Sequence, residues 1–169
     1  MNPILWLTRE LRVRIVLPFI PNRDVHVDIG CGPAKYLLGK SPCLKKIGFD
    51  AQLGSELEER IFLDTNSVDC ITMLAVIEHL THSLQIIQEC HRILKDDGVL
   101  IITTPKAKGF WLMNLYAPGF EKKEGPHVKH FEYDEMIDLL KGYFTVSIYK
   151  TFAFGYNQLF VCRKCVHCL

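Results

Sequence analysis

The residues of this chain best suited to chemistry cluster around two glycines. Asp28 lies near the end of a β-type run, Val25-His26-Val27-Asp28-Ile29, and Gly30-Cys31-Gly32 follows it directly. Glycines after a strand let the backbone turn sharply and approach a ligand without a Cβ in the way. In an open α/β sheet, ligands sit at the carboxyl ends of strands where the winding reverses. A carboxylate just ahead of such a turn accepts a hydrogen bond from a ligand ammonium, or orients the amides of the loop. Asp50 follows the next apolar run, 18 residues beyond Gly32. An acid in that place suits the two hydroxyls of an adenosine ribose.

Two other nucleotide-binding readings fit less well. A dinucleotide fingerprint asks for a small residue three places after the second glycine, where this chain has Lys35. A phosphate loop ending at Gly39-Lys40-Ser41 would need its first glycine five residues earlier, and Gly32 is seven residues earlier. Asp28 would also repel a pyrophosphate. It suits a cationic ligand.

The elements that must position these groups follow from periodicity. Val25–Ile29, Lys46–Phe49, Val68–Leu74 and Val99–Thr103 read as strands, with a helix from Pro33 to Lys40 and another over His82–Lys95. The latter repeats its apolar residues near every 3.6 positions and is closed by Asp96-Asp97-Gly98. Strand and helix in alternation predict right-handed crossovers and a mostly parallel, doubly wound α/β sheet. Tyr133–Lys141 reads as a further helix. Phe144–Tyr149 and Gln158–Arg163 are joined by a segment too short for a crossover helix, which predicts an antiparallel pair. The stretch from Lys106 to Lys129, with Phe110, Trp111, Tyr116 and Phe120, reads as a long loop that either packs on itself or covers a substrate.

Composition narrows the class. At 169 residues, with 49% hydrophobic and 23% charged, the chain is expected to form one globular domain over residues 1–169. A net charge of +1 gives no field to attract nucleic acid. Met1 to Pro21 is apolar, but Arg9, Glu10, Arg12 and Arg14 interrupt it. It reads as an amphipathic helix opened near Thr8 and stopped by Pro18 and Pro21, not as a signal peptide or a transmembrane span. The seven cysteines are odd in number and four are scattered, which suits a reducing compartment, so a cytoplasmic location is expected. The tail Cys162-x-x-Cys165-x-x-Cys168 has ligand-like spacing, but no second cluster stands upstream, and free thiols without a metal are expected.

Taken in order, Asp28-Ile29-Gly30-Cys31-Gly32, Gly48-Phe49-Asp50, Ser67-Val68-Asp69, Glu78-His79-Leu80 and Leu94-Lys95-Asp96-Asp97-Gly98-Val99-Leu100 resemble the class I S-adenosylmethionine-dependent methyltransferases. The likeness is to the small-molecule branch that contains the ubiquinone-biosynthesis enzymes, and it covers roughly residues 25 to 105. The resemblance implies a Rossmann-like methyltransferase fold with S-adenosylmethionine as cofactor and a small-molecule acceptor. It places Asp28, Gly30 and Gly32 along the methionine half, Asp50 on the ribose and Ala51 against the adenine. Leu74 and Ala75 would pass the amino acid end. The family often carries a His-x-x-His-Phe-like element where this chain has His127-Val128-Lys129-His130-Phe131, and His79, His127 and His130 are its candidates for a general base.

One departure stands out. Asp69 lies only 19 positions after Asp50, where the family fits a helix, a third strand and a loop. The third strand is therefore expected to be shortened or missing, and Glu58, Glu59 and Asp64 are left as candidates for the acid that recognises the adenine. A degenerate relative serving as a binding module, and a nicotinamide-dependent oxidoreductase, are the alternative readings.

Overall fold

The structure, a computed structural model, describes residues 3–50, 61–107 and 129–166, with the side chains of residues 3–5 excepted. The chain enters through helix α1 (Pro3–Val16), which passes into a 3-10 turn at Leu17–Phe19 under the φ restriction of Pro18. Then come β1 (Val25–Ile29), α2 (Tyr36–Lys40), β2 (Lys45–Phe49) and β3 (Val68–Leu74). Helix α3 (Ser83–Ile93) leads into β4 (Leu94–Pro105), and α4 (Tyr133–Leu140) precedes β5 (Phe144–Phe152) and β6 (Asn157–Lys164).

The strands form one sheet in the order β2-β1-β3-β4-β6-β5. The first four run parallel, and β6 returns antiparallel between β4 and β5, as the short connection demands. From β1 the chain winds outward to β2 on one side and then to β3 on the other. The winding thus reverses between β1 and β3, and a crevice at their carboxyl ends is the place for a ligand. This is a Rossmann-like methyltransferase sheet. Among the described residues no strand lies between Phe49 and Val68.

Strand alternation divides the core between two faces. Val27, Ile29, Ile71, Met73, Leu100, Ile102 and Phe160 lie on one, covered by Ile86, Ile87 and Cys90 of α3 and by Met136 and Leu140 of α4. Cys70, Val99, Ile101, Leu159 and Val161 lie on the other, beneath Val13 and Val16 of α1 and Leu37 of α2. Burying some 25 cal/mol per Å² of apolar surface on both faces is the main force holding the sheet and its helices together. Glu10 fastens α1 to α2: it accepts from Tyr36 Oη at 2.5 Å, from Arg14 at 2.9 Å and from Lys40 at 3.3 Å.

Several boundaries differ from the sequence reading, among them the starts of α1, α2 and β4. Helix α1 begins at Pro3, well before Thr8. Helix α2 begins at Tyr36 and not at Pro33, because Lys35 takes a left-handed conformation at φ 46° and starts the helix only after itself. Strand β4 begins at Leu94 and runs through Asp96-Asp97-Gly98, which the sequence reading gives as a helix stop. Leu94 pairs with Val68, and the register shifts before Cys70 meets Val99. The chain bends tightly there, since a Cβ on Gly98 would lie 2.6 Å from Leu94.

At the amino edge of the sheet Asp69 ties three segments together. It accepts from the Val25 amide at 3.0 Å and from Lys95 Nζ at 2.9 Å, with Arg23 at 4.0 Å. Burial pushes its carboxyl pKa up, but these bonds and charges outweigh burial and hold it below the usual range. No helix among the described residues is long and apolar enough to cross a membrane.

Candidate cofactor site

The bend after β1 is stitched to β2. The amides of Gly30 and Cys31 both donate to the Phe49 carbonyl, at 2.7 and 3.2 Å. The Gly32 amide donates to Asp50 Oδ2 at 2.9 Å, and the Lys35 amide donates back to the Gly32 carbonyl at 3.2 Å. Asp28, the glycine bend and Asp50 therefore meet at one end of neighbouring strands, as their spacing predicts.

The two glycines have different jobs. Gly30 sits at φ 75°, and a Cβ there would fall 2.1 Å from a methyl of Val76, in the turn after β3. Its missing side chain allows two backbone segments to close on each other. Gly32 sits at φ 64°, and a Cβ there would meet nothing within 4 Å. Its missing side chain opens onto space beside Asp50, a cradle that any larger residue would begin to fill.

Asp28 is buried, and Thr72 Oγ1 donates to its Oδ1 at 2.6 Å. Burial pushes its pKa up to about 7; the Thr72 bond works against that, and the charge of Asp50 adds to it. Among the described residues no lysine or arginine forms an ion pair with this carboxylate. A buried acid without its own cation suits a cationic ligand group. Cys31, inside the bend, is no ready nucleophile: burial, then Asp28 and Asp50, push its thiol pKa up. The Cys31 sulfur instead packs on β2, 2.6 Å from where a Cβ of Gly48 would stand, which explains the glycine in Gly48-Phe49-Asp50.

Leu74 and Ala75 lie on the far wall of the crevice, both half-buried. Ala75 turns the chain at φ 57°, its amide bound to the Thr103 carbonyl at 2.8 Å, and Val76 then reaches Gly30. Beyond it, Ile77–His79 forms a 3-10 turn that buries Glu78 against Thr104 Oγ1 at 3.1 Å and leaves His79 half-buried. The Lys129 amide donates to the Glu78 carbonyl at 3.2 Å, so the segments carrying His79 and His130 run side by side. Ala51, Glu58, Glu59, His127, Trp111 and Cys168 lie outside the described residues.

Other residues fall elsewhere. Asp64 is exposed in the loop before β3, where its carbonyl accepts from Ser67 Oγ at 2.6 Å. That loop is at the amino edge of the sheet, opposite the glycine bend, so Asp64 is not the adenine acid. Cys162 is buried in the core, where desolvation pushes its thiol pKa up. Cys165 lies beside Thr145 Oγ1 at 3.2 Å.

Sequence reasoning missed a chain of polar groups behind Asp28. His26, fully buried in β1, bonds Thr72 Oγ1 through Nε2 at 2.9 Å and Ser41 Oγ through Nδ1 at 2.8 Å. The available signal was a histidine two residues before Asp28, hence on the same strand face, in an otherwise apolar run.

This crevice, with Asp28 and Asp50 at the switch point of the sheet, belongs to a methyltransferase fold. A model of a methyltransferase domain matches residues 7–143, and the chain belongs to that family. Among curated proteins it is 42% identical over 63 residues to the Ubiquinone biosynthesis O-methyltransferase of Glaesserella parasuis, covering 36% of this chain and 27% of that one. It is 33% identical over 75 residues to a probable S-adenosylmethionine-dependent methyltransferase of Mycobacterium tuberculosis, covering 44% of this chain and 25% of that one. The chain thus matches about a quarter of the length of these relatives. Among solved structures, a chain from the complex of a methyltransferase activator with its methyltransferase from Haloferax volcanii aligns with a TM-score of 0.75 at 13% identity, over 92% of this chain and 89% of that one. A SAM-dependent methyltransferase from Aquifex aeolicus aligns at 0.66 and 19% identity, over 90% and 89%.

Family and fold imply S-adenosylmethionine as the cofactor. The residues present fit it. Asp28, which pairs with no lysine or arginine among the described residues, suits the ligand's ammonium, Gly32 leaves room for it, and the carboxylate of Asp50 suits ribose hydroxyls.

Proposed function

We propose that the protein transfers a methyl group from S-adenosylmethionine to a small-molecule acceptor. One observation carries the reading: a buried carboxylate, Asp28, that pairs with no lysine or arginine among the described residues, beside the open Gly32 cradle and Asp50 at the switch of the sheet. A dinucleotide pyrophosphate in that place would face the Asp28 carboxylate.

When bound, the cofactor supplies an electrophilic methyl on a sulfonium, so the protein's tasks are orientation, exclusion of water and at most the removal of one proton. In this reading Asp28 holds the ammonium and Gly30 closes the bend. Gly32 gives passage, and Asp50 and Ala51 hold the adenosine. Leu74 and Ala75 bound the amino acid end. The acceptor enters over the carboxyl edge of β3 and β4. His79, His127 and His130 are the candidates for proton removal, and the meeting of the His79 and His130 segments at Glu78 and Lys129 supports the first and last. Two buried oxygens near that edge, Thr103 Oγ1 and Asn157 Oδ1, have no hydrogen-bond partner among the described residues, which supports acceptor contacts there.

The name of the Glaesserella parasuis relative supports an oxygen acceptor on a small molecule. The scattered free cysteines at Cys31, Cys43, Cys70 and Cys90 support a cytoplasmic setting, and the single described sheet supports one domain over the whole chain. Isothermal titration with S-adenosylmethionine and S-adenosylhomocysteine tests the reading. Both should bind with micromolar affinity, and heat from neither ligand would overturn it.

A further inference from the structure

Asp28 is the end of a one-way chain of hydrogen bonds that runs through the sheet. The Cys43 amide donates to Ser41 Oγ at 3.3 Å, and Ser41 Oγ lies 2.8 Å from His26 Nδ1. His26 Nε2 lies 2.9 Å from Thr72 Oγ1, and Thr72 Oγ1 donates to Asp28 Oδ1 at 2.6 Å. A hydroxyl has one proton to give. Thr72 gives its proton to the carboxylate, so it must accept from His26, which requires a proton on Nε2. Nδ1 is then an acceptor and takes the Ser41 proton, and Ser41 accepts from the amide of Cys43. Every donor in the chain points toward Asp28.

This order is held by burial. His26, Ser41, Thr72 and Asp28 are each less than a tenth exposed, and β1 and β3 place Asp28 directly beside Thr72 in register. Burial, with a smaller effect from Lys46, pushes the His26 pKa down to about 4, so the neutral ring the chain needs is the form present near neutral pH.

We propose that His26 and Thr72 are positioning residues for the cofactor: through a directed hydrogen-bond chain they fix one oxygen of Asp28, so that the other receives the ligand's ammonium. The inference rests on the reading of Asp28 as the ammonium site. A fixed carboxylate meets the ligand without first being ordered, and such preorganisation appears as affinity.

The test compares S-adenosylhomocysteine with its deamino analogue, which lacks only the ammonium, by titration and competition on the full chain. Thr72→Val, which removes the hydroxyl and keeps the shape, should weaken S-adenosylhomocysteine roughly tenfold and leave the deamino analogue within about twofold. Thr72→Ser should restore binding. His26→Gln should also retain it, because the glutamine amide offers one donor and one acceptor at a similar spacing, whereas His26→Leu should behave like Thr72→Val. If Thr72→Val is unfolded by circular dichroism, the His26 pair carries the same comparison. Equal losses for both ligands, or none for either, would overturn the chain's role while leaving the Asp28 reading in place. Wild-type protein that binds the two ligands equally well would instead remove the ammonium reading itself.

Discussion

Asp50 accepts a hydrogen bond from the Gly32 amide at 2.9 Å, so the acid assigned to the ribose also closes the glycine bend. The strand that carries the first motif and the strand that carries the second are thus coupled at the mouth of the crevice, and changing Asp50 changes its shape.

Asp50→Asn keeps an oxygen able to accept from Gly32 but removes the charge that strengthens bonds from ribose hydroxyls. A charge-assisted hydrogen bond contributes about 1.5–3 kcal/mol, so S-adenosylhomocysteine affinity should fall roughly tenfold to a hundredfold. Asp50→Ala should lose more and also loosen the bend. Titration calorimetry reads the affinity, and amide exchange at Gly32 reads the bend.

The two glycines should separate stability from binding. Gly30→Ala drives a methyl into Val76 and strains a positive φ, and should cost on the order of 2–4 kcal/mol in urea denaturation. Gly32→Ala meets no atom, so it should cost only about 1–2 kcal/mol for its φ of 64° while weakening the cofactor tenfold or more. If Gly32→Ala leaves affinity untouched, the open space beside it is not the cradle.

Asp28 links cofactor affinity to pH. Its pKa of about 7 lies above the ordinary 3.8, so the empty site binds a proton that a cationic ligand must displace. Affinity should therefore climb up to about tenfold per unit as pH rises toward 7 and flatten above it, and Asp28→Asn should abolish the slope. Stability runs the other way. A raised folded-state pKa makes the group's contribution fully favourable below 3.8 and loses it as pH rises through 7. Asp28→Asn should consequently raise the melting temperature of the ligand-free protein at pH 8 by several degrees, equivalent to roughly 2–4 kcal/mol, and hardly at all at pH 4.

Asp69 should behave as a structural acid. Its folded-state pKa is depressed, so its contribution is present above the ordinary carboxylate value and disappears as pH falls through the lowered one. Asp69→Asn should destabilise the protein by about 1–3 kcal/mol at neutral pH, with the difference shrinking in acid, and should leave cofactor affinity within about twofold. Denaturation curves at two pH values, with one titration, check all three.

Much of this molecule was legible in its residues. Alternating β-type runs and the 3.6-residue repeat over His82–Lys95 determine where strands and α3 form, because those periods reflect local backbone geometry. The short join before Gln158 determines that β5 and β6 run antiparallel, since a parallel return needs more chain. Asp28, Gly30, Gly32 and Asp50 announced themselves because a turn, a cradle and two acids need those residue types at that spacing. The tertiary structure alone decided which glycine faces Val76 and which faces open space, for both have positive φ and look alike in sequence. It alone put Asp64 at the wrong edge and drew β4 back to Leu94, through a bulge that depends on its pairing with Val68. It also joined Ser41, His26, Thr72 and Asp28, which lie as far as 46 residues apart along the chain. Local pattern records what each segment prefers by itself, whereas a buried hydrogen bond depends on the register in which distant segments meet.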